Sequence, residues 1–383
     1  MKEEISLIVN INRAAFLDAA KRAASIAPSE SPLDVLKGAL LEADTVSGKL
    51  AITSTNMEVA LEEKLPCSVQ EEGALVFSAR VLAEMLQRLP LDTVQISRPG
   101  NCGRMVLRSE NACYEVDVWD CGAFPKPDLP FPEDTVKLSG IPSMAQRTVF
   151  ATAQDNNKPL LKCVNLKFTD MGLRAAGSNG NCIVTAKGDD QSRGNISMLI
   201  PASSLGKLAR MCADKDEFRV GTTGRNIVFF KENYLFSSRL MEGGYIDTDL
   251  LLNNIQNSFT VLTDIQEIRN ALSSVITVAA EGRVMLKFRD QRLEFCCFGV
   301  QGTASASVDV IALTGTPTGE YWFAARQLNT CLKALKGTVT LGIAKGGMLT
   351  LSIQDAYYMQ SAMRAPTEKK SVQAVRIPNT KAA

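Results

Sequence analysis

One segment of this chain occurs three times. Val76-Phe77-Ser78-Ala79-Arg80-Val81-Leu82, Leu199-Ile200-Pro201-Ala202-Ser203-Ser204-Leu205 and Trp322-Phe323-Ala324-Ala325-Arg326-Gln327-Leu328 place Ala79, Ala202 and Ala325 at one constant interval. Leu82, Leu205 and Leu328 keep the same interval. A 383-residue chain that repeats itself every roughly 120 residues has to build one supersecondary unit three times over. Each segment reads as a strand end turning into an amphipathic helix. The apolar positions continue at helical spacing through Met85, Leu86 and Leu89, through Leu208, Met211 and Cys212, and through Cys331, Leu332 and Leu335.

The rest of each third follows suit. Runs beginning Leu36-Lys37-Gly38, Leu161-Lys162-Cys163 and Gly282-Arg283-Val284 read as strands, with partners opening at Leu50, Leu173 and Leu293. Helical runs precede them over Asn12–Ile26, Pro142–Gln154 and Asp264–Ile276, with Asn12 and Asp264 as N-caps. Hairpins are expected near Met105–Val118, Ile227–Ser238 and Leu349–Gln360. The expected class is therefore α+β, in three repeats of two helices and antiparallel sheet. Turn-rich joins near Phe124–Pro130 and near Leu252-Asn253-Asn254 divide it into 1–125, 126–251 and 252–365. The polar run 366–383 reads as a flexible tail.

Composition removes whole classes of chemistry. The chain has no histidine, which excludes Ser-His-Asp and Cys-His nucleophiles, histidine-ligated zinc and imidazole acid–base work. Its ten cysteines include no C-x-x-C pair and read as buried small hydrophobes of a reducing compartment. No metal or other cofactor is expected. The start, Met1-Lys2-Glu3-Glu4 before Ile5–Val9, is too short in apolar residues for a secretion signal. No long uncharged window spans a membrane, so a cytoplasmic protein is expected. As an enzyme, the chain would have to rely on Asp189 and Asp190 with Glu281 or Asp355, and adjacent acids after Lys187-Gly188 are more simply a solvated turn.

Charge is segregated. The net charge is only +1, yet the six expected helices hold twelve basic residues against four acidic ones. Basic helices on an acidic remainder suit one face to a polyanion, although solvated helix faces would produce the same count.

Local motifs then point to a family. Thr53-Ser54-Thr55-Asn56-Met57-Glu58 resembles a T-x-T-D-x-E stretch, and Lys158-Pro159-Leu160-Leu161-Lys162-Cys163-Val164 resembles R-P-I-L-T-G-V. Leu240-Met241-Glu242-Gly243-Gly244-Tyr245-Ile246-Asp247 is similar to L-x-x-G-x-F/Y-P-D, and Tyr358–Arg364 stands in the place of Y-V-V-M-P-M-R. In this order on a threefold repeat, they resemble the bacterial DNA polymerase III beta subunits, the replicative sliding clamps, over residues 5 to about 365.

The resemblance implies three clamp-type domains forming half of a ring, closed by a second copy, with helices lining a hole for double-stranded DNA. Lys21, Arg22, Arg80, Arg147, Lys207, Arg210, Arg269, Arg326 and Lys333 would then meet phosphates without regard to sequence. It implies a non-catalytic processivity factor that tethers the replicative polymerase, the clamp loader and repair proteins through short peptides. Their pocket would use Leu161, Ser178, Gly180, Ile183, Ile246, Leu251, Met359, Ser361, Ala362, Met363 and Arg364. Tyr114 and Val116 would meet Val275 and Ile276 of the second copy. A dimeric clamp-fold scaffold that binds peptides, or a second clamp outside bulk replication, is the alternative. Val375, Ile377 and Pro378 in the tail are candidates for covering the chain's own pocket.

Overall fold

The computed structural model describes residues 7–90, 92–99, 103–110, 112–155, 157–188, 196–278, 282–299 and 302–366. Seven α-helices occur among them: α1 (Arg13–Ile26), α2 (Ala79–Arg88), α3 (Ile141–Thr148), α4 (Ala202–Met211), α5 (Thr248–Asn253), α6 (Ile265–Ile276) and α7 (Ala325–Ala334). The expected caps are in place. Asn12 accepts from the Ala15 amide, and Asp264 accepts from Gln266 and Glu267.

Three expectations need correction. The helix expected over Pro142–Gln154 stops at Thr148 and tightens into a 3-10 turn, Val149–Ala151. There the Thr152 hydroxyl donates to the Val149 carbonyl at 2.8 Å, and β-branched and aromatic residues weaken the helix. The join near Leu252-Asn253-Asn254 is mostly helical. Asp247 caps α5 through the Leu250 amide, and Asn254 ends it by donating from Nδ2 to the Leu250 carbonyl. Likewise Leu36-Lys37 and Leu161-Lys162 fall in 3-10 turns, Asp34–Lys37 and Pro159–Lys162, just before the strands they were assigned to.

The chain packs as two compact units, one of residues 1–145, 163–174 and 188–243, the other of 146–162, 175–187 and 244–383. In the first unit an antiparallel sheet runs in the order Val136–Leu138, Phe218–Thr223, Asn226–Lys231, Tyr234–Arg239, Val59–Pro66, Lys49–Thr55, Gly38–Asp44, Gly73–Ser78. Strands of the first and second repeats thus become one sheet where Val59–Pro66 pairs with Tyr234–Arg239. A five-stranded sheet of the same unit ends on Ala112–Asp117. Its core joins Phe16, Leu41, Ile52, Leu82, Leu86 and Ile96 under α1 and α2.

In the second unit the strands Cys182–Lys187, Ala356–Gln360, Leu349–Ile353, Thr338–Ala344, Asn257–Asp264 and Ala312–Gly315 lie in that order. A four-stranded sheet, Gly302–Asp309, Arg292–Gly299, Arg283–Arg289 and Glu320–Ala324, faces the same core. Phe295, Phe323 and Tyr358 are among its fully buried side chains, each worth about 2 kcal/mol or more of hydrophobic stabilisation.

Candidate functional site

The second unit gathers much of the expected peptide pocket around one antiparallel strand pair. Cys182–Lys187 pairs with Ala356–Gln360 so that Ile183 stands opposite Met359, and the Ser361 amide continues the ladder by donating to the Asn181 carbonyl at 2.9 Å. The preceding turn is held by its own side chains. Ser178 donates from its hydroxyl to the Cys182 carbonyl at 2.8 Å and accepts from the Gly180 amide at 3.1 Å. Asn179 Oδ1 accepts the amides of Asn181 and Cys182, both at 2.9 Å. This bends the chain so that Gly180 takes φ +89, the left-handed region that favours glycine. A Cβ there would lie 3.8 Å from Leu161 Cδ1 and 3.1 Å from Lys158 Nζ. Absence of a side chain at 180 leaves the approach to Leu161 open.

The eleven residues therefore have different positions. Gly180, Leu251, Ser361, Ala362 and Arg364 are exposed, while Leu161, Ile246 and Met363 are half-buried. Ser178, Ile183 and Met359 are buried, and the Ser178 hydroxyl is fully engaged in shaping the turn. Met363 packs on the four-stranded sheet instead. Its amide donates to the Trp322 carbonyl at 2.7 Å, and its side chain joins Met285, Cys296 and Trp322. Arg283 Nη1 donates to the Arg364 carbonyl at 3.0 Å. Lys158, which opens the second-repeat motif, is the neighbour that reasoning from sequence passed over.

The basic residues fare unevenly. Lys21, Arg80, Arg210, Arg326 and Lys333 are exposed, and Arg147, Lys207 and Arg269 are half-buried. Arg22 is committed elsewhere: its Nε and Nη2 donate to the two carboxylate oxygens of Glu63 at 2.8 and 2.7 Å. Burial and the neighbouring Arg210 hold Lys207 below the ordinary lysine range.

Tyr114 and Val116 lie half-buried on Ala112–Asp117, a terminal strand of its sheet whose outer edge has no strand partner among the described residues. Val275 is 1% exposed within the core of the second unit, which removes it as a contact residue; Ile276 beside it is half-buried. Asp189, Asp190, Glu281 and the tail residues Val375, Ile377 and Pro378 lie outside the described residues.

Nothing in this constellation resembles a nucleophile. Burial pushes the Cys182 thiol up to about 12 and the Cys297 thiol to about 11, which suppresses their thiolates near neutrality. Among the described residues no group of three or more acids and cysteines could hold a metal ion, and no helix is long and apolar enough to cross a membrane.

Comparison with known proteins agrees with this architecture. Residues 7–129 match the N-terminal domain of the DNA polymerase III beta subunit, and residues 135–247 match its central domain. The beta sliding clamp of Bacillus subtilis is 26% identical over 250 residues, covering 61% of this chain and 65% of that protein. That of Synechococcus elongatus is 25% identical over 325 residues, covering 81% and 85%. The crystal structure of the Bacillus subtilis DNA polymerase sliding clamp superposes with a TM-score of 0.85 at 19% identity, over 94% of this chain and all of that one. The beta subunit of Thermotoga maritima superposes with the same score at 17% identity and the same coverage. At those identities the superpositions speak for the fold, clamp-type repeats of helices on antiparallel sheet. With both family matches together spanning most of the sequence, the chain belongs to the DNA polymerase III beta-subunit family.

Proposed function

We propose that the protein is a sliding clamp, a non-catalytic processivity factor that encircles duplex DNA in the cytoplasm and tethers a polymerase to it. The observation that carries this reading is where the exposed cations sit. Lys21, Arg80, Arg210 and Lys333 lie on α1, α2, α4 and α7, the helices that recur with the repeat. Cations spread over recurring helices suit a uniform polyanion, because phosphate neutralisation is independent of base sequence and allows sliding.

In this reading the repeats 1–125, 126–251 and 252–365 form three domains of one subunit. Two subunits close head to tail, the free edge of Ala112–Asp117 with Tyr114 and Val116 meeting the third repeat beside Ile276. The polymerase, the clamp loader and repair proteins attach through short peptides at Gly180, Leu161, Ile246, Leu251 and the closing strand. Leu251, at 38% exposure, and Leu250, at 61%, supply apolar surface beside it.

Retention on circular against linearised duplex DNA, with the mass in solution, tests the reading. A dimer held on circles and lost from linear ends is expected. The variant Lys21→Glu/Arg210→Glu/Lys333→Glu should leave circles readily, and each phosphate contact removed should lower the salt slope by about 0.9. Equal loss from both DNA forms by the wild type would favour a dimeric peptide-binding scaffold. The capture of Arg22 by Glu63, which takes one cation from the helical face, is the observation in that alternative's favour.

A further inference from the structure

Beside the Gly180 turn, within the same unit, lies a cleft of about 580 Å³. Phe150 lines it, half-buried, and two cations, Lys158 and Arg326, stand exposed along it. Four carboxamides, Gln154, Asn179, Asn181 and Gln327, make up most of the remaining polar lining. Asp155 also lines the cleft, but its carboxylate oxygens already accept the backbone and side-chain N–H groups of Asn157 at 2.9 and 3.0 Å.

The cleft and the pocket are continuous. Asn179 and Asn181 flank Gly180 in sequence, and the Lys158 ammonium lies where a side chain at 180 would touch it, next to Leu161. A chain seated on Leu161 and continuing across the turn would meet Lys158, Asn179 and Asn181, which line the cleft. The first turn of α7, which contributes Arg326 and Gln327, has no side-chain cap of its own.

We propose that this cleft reads an acidic flank of the partner peptide whose apolar residues enter the Gly180 pocket. This inference rests on the pocket reading given above. Asn179, whose Oδ1 is taken by two backbone amides, still offers its Nδ2 donors, and Gln327, whose Nε2 donates to the Cys182 thiol, offers its carbonyl. Gln154 and Asn181 carry both kinds of group, and together the four match the alternating C=O and N–H groups of an extended chain. Lysine and arginine, with the nearby acid engaged on its own loop, leave the cleft a net receptor for carboxylates. Phe150 gives the stem of a glutamate an apolar surface to lie on. A nucleic-acid groove built for phosphate alone would be expected to carry more cations and fewer amides. Charge complementarity of this kind selects among partners that share the same apolar anchors.

The experiment is a fluorescence-anisotropy titration of the full chain with four peptides. Two carry a Leu-Phe anchor with a glutamate pair on its N-terminal or its C-terminal side; the other two carry glutamines instead. One of the glutamate peptides should bind at least tenfold more tightly than its glutamine counterpart at low salt. The gap should fall below twofold in Lys158→Gln/Arg326→Gln. Both residues are exposed, so the variant keeps the fold, which circular dichroism checks. Equal affinity of the glutamate and glutamine peptides, both binding, overturns the cleft and leaves the pocket standing. A gap that persists in the double variant also overturns it. Failure of all four peptides on the wild type overturns the pocket reading and this inference with it. A single-stranded oligonucleotide that displaces the glutamate peptide but not the glutamine one would make the cleft a nucleic-acid groove instead.

Discussion

The strand pairing of Val59–Pro66 with Tyr234–Arg239 in one unit has a twin in the other, that of Cys182–Lys187 with Ala356–Gln360. The correspondence extends to single hydrogen bonds. Thr55 donates from its hydroxyl to the Val59 carbonyl and accepts the Met57 amide, as Ser178 does with Cys182 and Gly180. Asn56 Oδ1 accepts the amides of Glu58 and Val59, as Asn179 does those of Asn181 and Cys182. The Arg239 amide reaches the Glu58 carbonyl at 2.9 Å, as Ser361 reaches Asn181.

What fills the two frames differs. Where the second unit has Gly180, the first has Met57, held at φ +73 with its side chain 64% exposed over the turn. Where the second unit offers half-buried Ile246, the first has Phe124, 5% exposed and packed on Val35, Leu40 and Val76. Glu63 opposite Tyr234 holds Arg22, while the corresponding pair is Ala186 opposite Ala356. One frame is closed by its own side chains and the other is left open. On the proposed reading, a docking site would arise from what one copy of a repeated scaffold omits.

The largest effects should come from exchanging the inner pairs. Ala186→Glu places a carboxylate without a partner at a position 1% exposed and should cost about 4 kcal/mol or more in urea unfolding. Glu63→Ala strands the Arg22 guanidinium and should cost about 3 kcal/mol, at the low end for a partly buried pair. Losses below about 1 kcal/mol in both would mean that the two joins do not differ in this way.

Exchanging the turn residues should move binding more than stability. Gly180→Met puts a side chain at a left-handed position and across the route to Leu161. It should cost about 1–2 kcal/mol of stability and lower peptide affinity by about tenfold or more. Met57→Gly should leave stability within about 1 kcal/mol, since relief of the left-handed strain is offset by chain entropy, and should not alter peptide binding. Unchanged peptide affinity in Gly180→Met would remove this turn from the pocket.

The smallest effects should be the matched ones. Asn56→Ala and Asn179→Ala each delete an acceptor for two backbone amides, and each should cost about 1 kcal/mol by thermal unfolding. Equal losses would support equal frames; a difference beyond about 1 kcal/mol would show that one turn leans on its surroundings.

Part of the site could be read from the sequence because it is written in short-range patterns. The Leu349–Gln360 hairpin is a local feature, and its strands lie where the sequence pattern puts them. Lys158 escapes a reading from sequence, since its ammonium comes beside Gly180 only in the folded chain. Helical spacing does not say which side of a helix end meets the core, and Val275 is 1% exposed. Arg22 belongs to the basic helices by sequence, but Glu63, forty-one positions along, takes its guanidinium.

By itself the sequence determined the threefold period, the helices α1, α2, α4, α6 and α7, the caps Asn12 and Asp264, and the hairpins, because each depends on propensity and side-chain chemistry within a few residues. The tertiary structure alone decided that Val59 stands opposite Ser238 and Cys182 opposite Gln360, and hence which copy of the turn would lie open. Such registers are set by burying one face of each strand against elements far along the chain, and no local pattern distinguishes one repeat's edge from another's.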